Sequence, residues 1–96
     1  MKKSVLSLCV DSDMLVNGIV KKYLNDFVKQ IENSIEKTII LDMKRVNFVD
    51  SSGIVLIVKI YKLSKKLNRQ FCLCNVNKEI KNLMRVVNLD KVIPMV

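Results

Sequence analysis

Apolar residues enter this chain in two patterns: short unbroken runs, and longer stripes that recur every three or four positions. The first run, residues 5–10, is mostly apolar, ends at Asp11 and predicts a strand. Asp13 then stands where a helix N-cap would. From Met14 onward Leu15, Ile19, Tyr23, Phe27 and Ile31 recur at every fourth position. Together with Val16, Val20, Leu24 and Val28 they make one broad helical stripe, with Lys21, Lys22, Asn25, Lys29 and Glu32 facing water. Gly18 lowers local helicity by about 1 kcal/mol relative to alanine and marks a close backbone contact. Asn33 and Ser34 end the helix.

Residues 38–41 form a second continuous run, of the kind buried on both faces in parallel sheets. After the polar tetrapeptide Asp50-Ser51-Ser52-Gly53, local rules disagree. Ile54-Val55-Leu56-Ile57-Val58 is rich in β-branched residues and looks like a strand. Yet Leu56, Ile60, Leu63 and Leu67 keep helical spacing, and Lys59, Lys62, Ser64, Lys65, Lys66 and Arg69 bring polarity towards the end. Cations late in a helix suit its dipole. The spacing therefore predicts a helix whose first half is packed on nearly all sides, with Asn68 left-handed at its C-terminus. Residues 71–76 read as a third strand. Asn77 caps a third helix carrying Ile80, Leu83, Met84 and Val87, and Val92-Ile93-Pro94 closes the chain. Strand and helix alternate three times. This is the order of an α/β fold: a mixed sheet with parallel pairs and crossover helices, all in one domain spanning residues 1–96.

Composition changes this picture only at the margins. Half of the 96 residues are hydrophobic, with two glycines and one proline, so the chain is neither disordered nor divided by a linker. Its net charge of +8 invites a nucleic-acid reading. The basic residues are spread along the polar sides of apolar segments, however, and aromatic stacking partners are few. A solvated basic surface is the simpler account, and no direct nucleic-acid contact is expected. Cys9, Cys72 and Cys74 sit in apolar contexts and read as small core residues; their odd number argues for a reducing compartment. Met1-Lys2-Lys3 precedes an apolar stretch too short for a signal peptide, and no segment approaches the ~20 apolar residues of a membrane span. A cytoplasmic location is expected.

Asp50-Ser51-Ser52-Gly53 admits two uses. An oxygen of Asp50 or Ser51 can accept the N–H groups left unpaired in the first helical turn, worth ~1 kcal/mol. Alternatively, a hydroxyl there can be presented to a partner enzyme. Catalysis by the chain itself is not expected, because with no histidine no Ser-His arrangement can be assembled. Asp42 and Asp50 could in principle hold Mg²⁺, but a strand-end aspartate reads more simply as a polar terminus. Neither metal nor cofactor is expected.

The block from Ile39 to Lys66 resembles the core of a STAS domain, the fold of bacterial anti-sigma factor antagonists. The resemblance is carried by Ile39-Ile40-Leu41-Asp42-Met43, then Phe48-Val49-Asp50-Ser51-Ser52-Gly53, then the apolar helix ending in lysines. It continues through residues 71–80 and 89–94, and it favours helix over strand at Ile54. It implies a switch protein, not an enzyme. Ser52 would accept phosphate from an ATP-dependent anti-sigma factor serine kinase, the partner. Asp50, Ser51, Ser52, Gly53 and Asp13 would form the partner-binding set. The family has one more strand before Val5, so that edge is left open, covered by a partner, or covered in a homodimer. The alternative is a cytoplasmic STAS binding subunit of a transporter or of a stressosome-like complex.

Overall fold

The computed structural model describes residues 5–11 and 19–96, so Asp13, Gly18 and the start of the first helical stripe lie outside the described residues. Strands β1 (Val5–Cys9), β2 (Thr38–Asp42) and β3 (Gln70–Cys74) lie side by side in that order, and both pairs are parallel. Helices α1 (Ile19–Glu32) and α2 (Ser51–Lys66) are the crossovers that parallel pairing requires. Helix α3 (Lys78–Val86) and a 3₁₀ turn (Leu89–Lys91) follow. The α/β class and the parallel pairs with helical crossovers are as expected.

Register explains where the core lies. Leu6, Ile39 and Phe71 are level across the sheet, as are Leu8, Leu41 and Leu73. That face packs against Phe27 and Ile31 of α1, Leu56, Ile57 and Ile60 of α2, and Ile80 and Met84 of α3. Each such fully buried Leu or Ile favours the fold by about 1.5–3 kcal/mol relative to exposure. Ser7 and Cys9 are exposed on the opposite face, where Ile40, Cys72 and Cys74 are only half-buried. Two expectations are thereby corrected. The β2 strand is buried on one face instead of two, and the cysteines lie outside the core. An apolar run cannot by itself tell a sheet covered on both sides from one covered on one.

The conflict at Ile54 is resolved as helix, but the first half of α2 is not packed all round, since Val55 is 49% exposed. The helix ends in a Schellman motif. Asn68 is left-handed at φ 58°, its N–H donates to the Lys65 carbonyl at 3.0 Å, and the Arg69 N–H donates to Ser64 at 2.8 Å. Asn77 caps α3 by accepting the Ile80 N–H at 2.8 Å. Val87 lies at the C-cap and is 41% exposed, so it is not the core residue its spacing suggested. Past the 3₁₀ turn the chain returns to the sheet. The Leu73 N–H donates to Pro94 at 2.9 Å and the Val96 N–H to Leu73 at 2.8 Å.

Arg69 also departs from expectation. It is not a solvated cation at the end of a helix. One guanidinium nitrogen donates to the Ile31 carbonyl at 2.6 Å and to Ser34 Oγ at 2.8 Å, and the other donates to the Ser34 carbonyl at 2.7 Å. These acceptors lie at and just beyond the C-terminal end of α1, where a cation is favoured. Lysine cannot form this fork. Arg69→Lys is expected to cost about 2 kcal/mol, seen as a lower urea midpoint with an unchanged slope. An unchanged midpoint would show that the fork contributes nothing.

Candidate functional site

The connection from β2 to α2, residues 43–50, is built on two buried anchors, Met43 and Val46. The Met43 N–H donates to the Cys74 carbonyl at 2.9 Å, and the Val46 N–H turns back to Met43 at 3.0 Å. Lys44 and Arg45 stand out at the turn. The strand-end carboxylate of Asp42 accepts the Lys44 N–H at 2.9 Å and the Asn75 side-chain amide at 3.1 Å. Those donors, Asn75 foremost and then the Lys44 backbone, hold the Asp42 carboxyl below its ordinary range. On the same face of the sheet, burial pushes the Cys74 thiol up, and the Asp42 charge adds to the effect.

Further along the connection Phe48 is 58% exposed and Val49 half-buried. Asp50 then takes an extended conformation, φ −102° and ψ −169°, and serves as the N-cap of α2. Its Oδ1 accepts the Ser52 N–H at 2.9 Å and the Gly53 N–H at 3.3 Å. The same oxygen accepts the Ser52 hydroxyl at 2.7 Å. The Asp50 carbonyl takes the first intrahelical bond, from the Ile54 N–H at 3.1 Å. Gly53 is buried, on the same side of the helix as Leu56, Ile57 and Ile60.

Four of the expected residues, Asp50, Ser51, Ser52 and Gly53, thus stand together at one helix start; Asp13 is not among the described residues. Ser51 is exposed, whereas Ser52 is half-buried and tied to Asp50. Of the two uses of the tetrapeptide, the capping one is seen, and it falls to Asp50, with the Ser52 hydroxyl beside it. Sequence reasoning missed what surrounds this corner. A groove of about 370 Å³ lined by Val49, Ile54, Val55, Leu83 and Val87 opens beside Asp50 and Ser51. Its signal was the apolar positions left over once each helix had filled its buried stripe. A larger groove, of about 560 Å³, lies at the far end of the sheet by Thr38 and Tyr61, away from Ser52.

The STAS domain family model matches residues 8–96, and the chain belongs to that family. It is 28% identical over 85 residues to the anti-sigma F factor antagonist of Paenibacillus polymyxa, a match covering 83% of this chain and 73% of that protein. The fold is similar to that of the anti-sigma factor antagonist SpoIIAA in its unphosphorylated form, with TM-score 0.79 and 17% identity over 99% of this chain and 82% of that one. It is also similar to a sulfate transporter family protein from Wolinella succinogenes, with TM-score 0.78 and 18% identity over 92% and 70% of the two chains.

Because the fold favours ionised Asp42, its contribution to stability is present above the ordinary carboxylate range and is lost as pH falls through the lowered folded value. Asn75→Ala is expected to raise the Asp42 pKa towards the ordinary 3.8. A carboxyl-carbon NMR titration checks this, and an unmoved midpoint would remove Asn75 as the main cause.

Proposed function

We propose that this STAS domain is an anti-sigma factor antagonist, a binding switch phosphorylated on Ser52 by an ATP-dependent anti-sigma serine kinase. The observation that carries the reading is the Ser52 hydroxyl at the second position of α2, hydrogen-bonded at 2.7 Å to the carboxylate that caps the helix. The anti-sigma F factor antagonist among its relatives supports the assignment. The protein acts by binding, in the cytoplasm, with residues 1–96 as one domain and without a cofactor. Among the described residues no helix is long and apolar enough to cross a membrane.

Phosphoryl transfer here is a simple exchange. Ser52 Oγ forms a bond to the γ-phosphorus of ATP, the bond to the β-phosphate oxygen breaks, and ADP leaves. The hydroxyl proton passes to a base, and Asp50 Oδ1 already accepts its hydrogen bond. The helix N-terminus favours the added negative charge, so the fold survives. Nearly two negative charges then stand beside Asp50, at a surface the partner must approach closely. A penalty of ~3 kcal/mol at that contact lowers affinity more than a hundredfold. The set engaged by the kinase is Asp50, Ser51, Ser52 and Gly53, with Asp13.

A second reading, a cytoplasmic binding subunit of a transporter complex, is favoured by the fold shared with the sulfate transporter family protein. Genes for a kinase and a sigma factor beside this one would support the first reading; transporter genes would support the second.

Incubation with the cognate kinase and ATP is expected to add one phosphate by intact mass. Ser52→Ala abolishes the addition and Ser51→Ala retains it. Wild-type protein left unmodified by every such kinase of its genome would refute the switch.

A further inference from the structure

The connection between β3 and α3 reaches back to the connection that leads into α2 and Ser52. Asn75, left-handed at φ 55°, gives its amide to Asp42, the last residue of β2, just before residues 43–50. Two residues on, Asn77 reaches the middle of the same stretch. Its Nδ2 donates to the carbonyls of Val46 at 3.3 Å and Asn47 at 3.2 Å, while its Oδ1 accepts the Ile80 N–H at 2.8 Å. One side chain therefore caps α3 with its oxygen and grips the neighbouring connection with its nitrogen. From Asn47 only Phe48 and Val49 intervene before Asp50, the cap of α2.

We infer that Asn77 is a positioning residue for phosphorylation: its amide nitrogen fixes residues 46–50 and so sets where the Ser52 hydroxyl stands for in-line transfer. The inference rests on the proposed phosphorylation of Ser52. Capping α3 asks only for an acceptor, and aspartate and serine serve there as well as asparagine. The grip on two carbonyls asks for a donor that aspartate lacks and the shorter serine does not extend far enough to supply. The two roles of Asn77 can therefore be separated by substitution. Displacement of a reacting group by about 1 Å lowers rate by up to about 10²-fold.

Asn77→Asp and Asn77→Ser test this in the whole chain, with thermal melts, amide hydrogen exchange and steady-state phosphorylation by the cognate kinase. Both variants are expected to melt near wild type and to keep strand protection. Exchange at residues 47–52 rises, and kcat for phosphorylation falls roughly tenfold or more while KM for the protein substrate holds. Unchanged exchange at residues 47–52 overturns the inference without any kinase. So does an unchanged kcat, or a loss of rate that merely tracks the fraction unfolded. If wild type itself takes no phosphate, the functional reading fails and this inference fails with it. Normal wild-type phosphorylation matched by both variants sinks the role of Asn77 alone.

Discussion

The N–H groups at the start of α2 must find acceptors, and the carboxylate of Asp50 is what satisfies them. One oxygen accepts two backbone donors and the Ser52 hydroxyl together. A helix beginning without such a partner leaves buried or half-buried donors unpaired, at a cost comparable to a lost hydrogen bond each. The cap therefore decides where α2 starts, which places Gly53 against the core and Ser51 at the surface. It also sets the charge beside Ser52, which in the proposed switch makes an added phosphate unwelcome to a partner. In the proposed switch, structure and signalling draw on one carboxylate.

Holding that carboxylate in place takes more than local geometry. The sheet supplies a fixed edge through the Met43 bond to Cys74, and Met43 and Val46 lock the turn into the core. Asn75 and Asn77 then tie the β2–α2 connection to the β3–α3 connection at two points. Loops with few buried contacts open at low free-energy cost, and this bracing counters that tendency where the proposed switch wants a precise hydroxyl. The apolar groove beside Asp50 and Ser51 lies at the margin of the same braced corner.

Much of this was legible in the residues because it depends on near neighbours. The three strands, a cap at Asp50 or Ser51, the capping role of Asn77, and the left-handed Asn68 all follow from patterns a few positions long; that Asp50 is the cap is seen only in the structure. Ile54–Val58 needed the longer helical spacing of Leu56, Ile60 and Leu63 to outweigh β-branched preference, since tertiary burial overrides propensity. What stayed hidden depends on partners distant in sequence. Arg69 looked like a helix-end cation, yet it serves α1, more than thirty residues earlier. Asn77 read as a cap through its oxygen, while the acceptors of its nitrogen are 31 and 30 residues away. The exposure of Cys9 and the half-exposure of Cys72 and Cys74 depend on which sheet face the helices cover, and an apolar run does not encode that.

The central claim is that one phosphate on Ser52 leaves the domain folded while driving its partner away. Stoichiometrically phosphorylated and unmodified protein, compared by calorimetric titration against the same kinase and by thermal melting, test it directly. The account predicts matching cooperative melts and a Kd more than a hundredfold weaker for the phosphorylated form. Equal affinities, or a phosphorylated protein that no longer melts cooperatively, would contradict it.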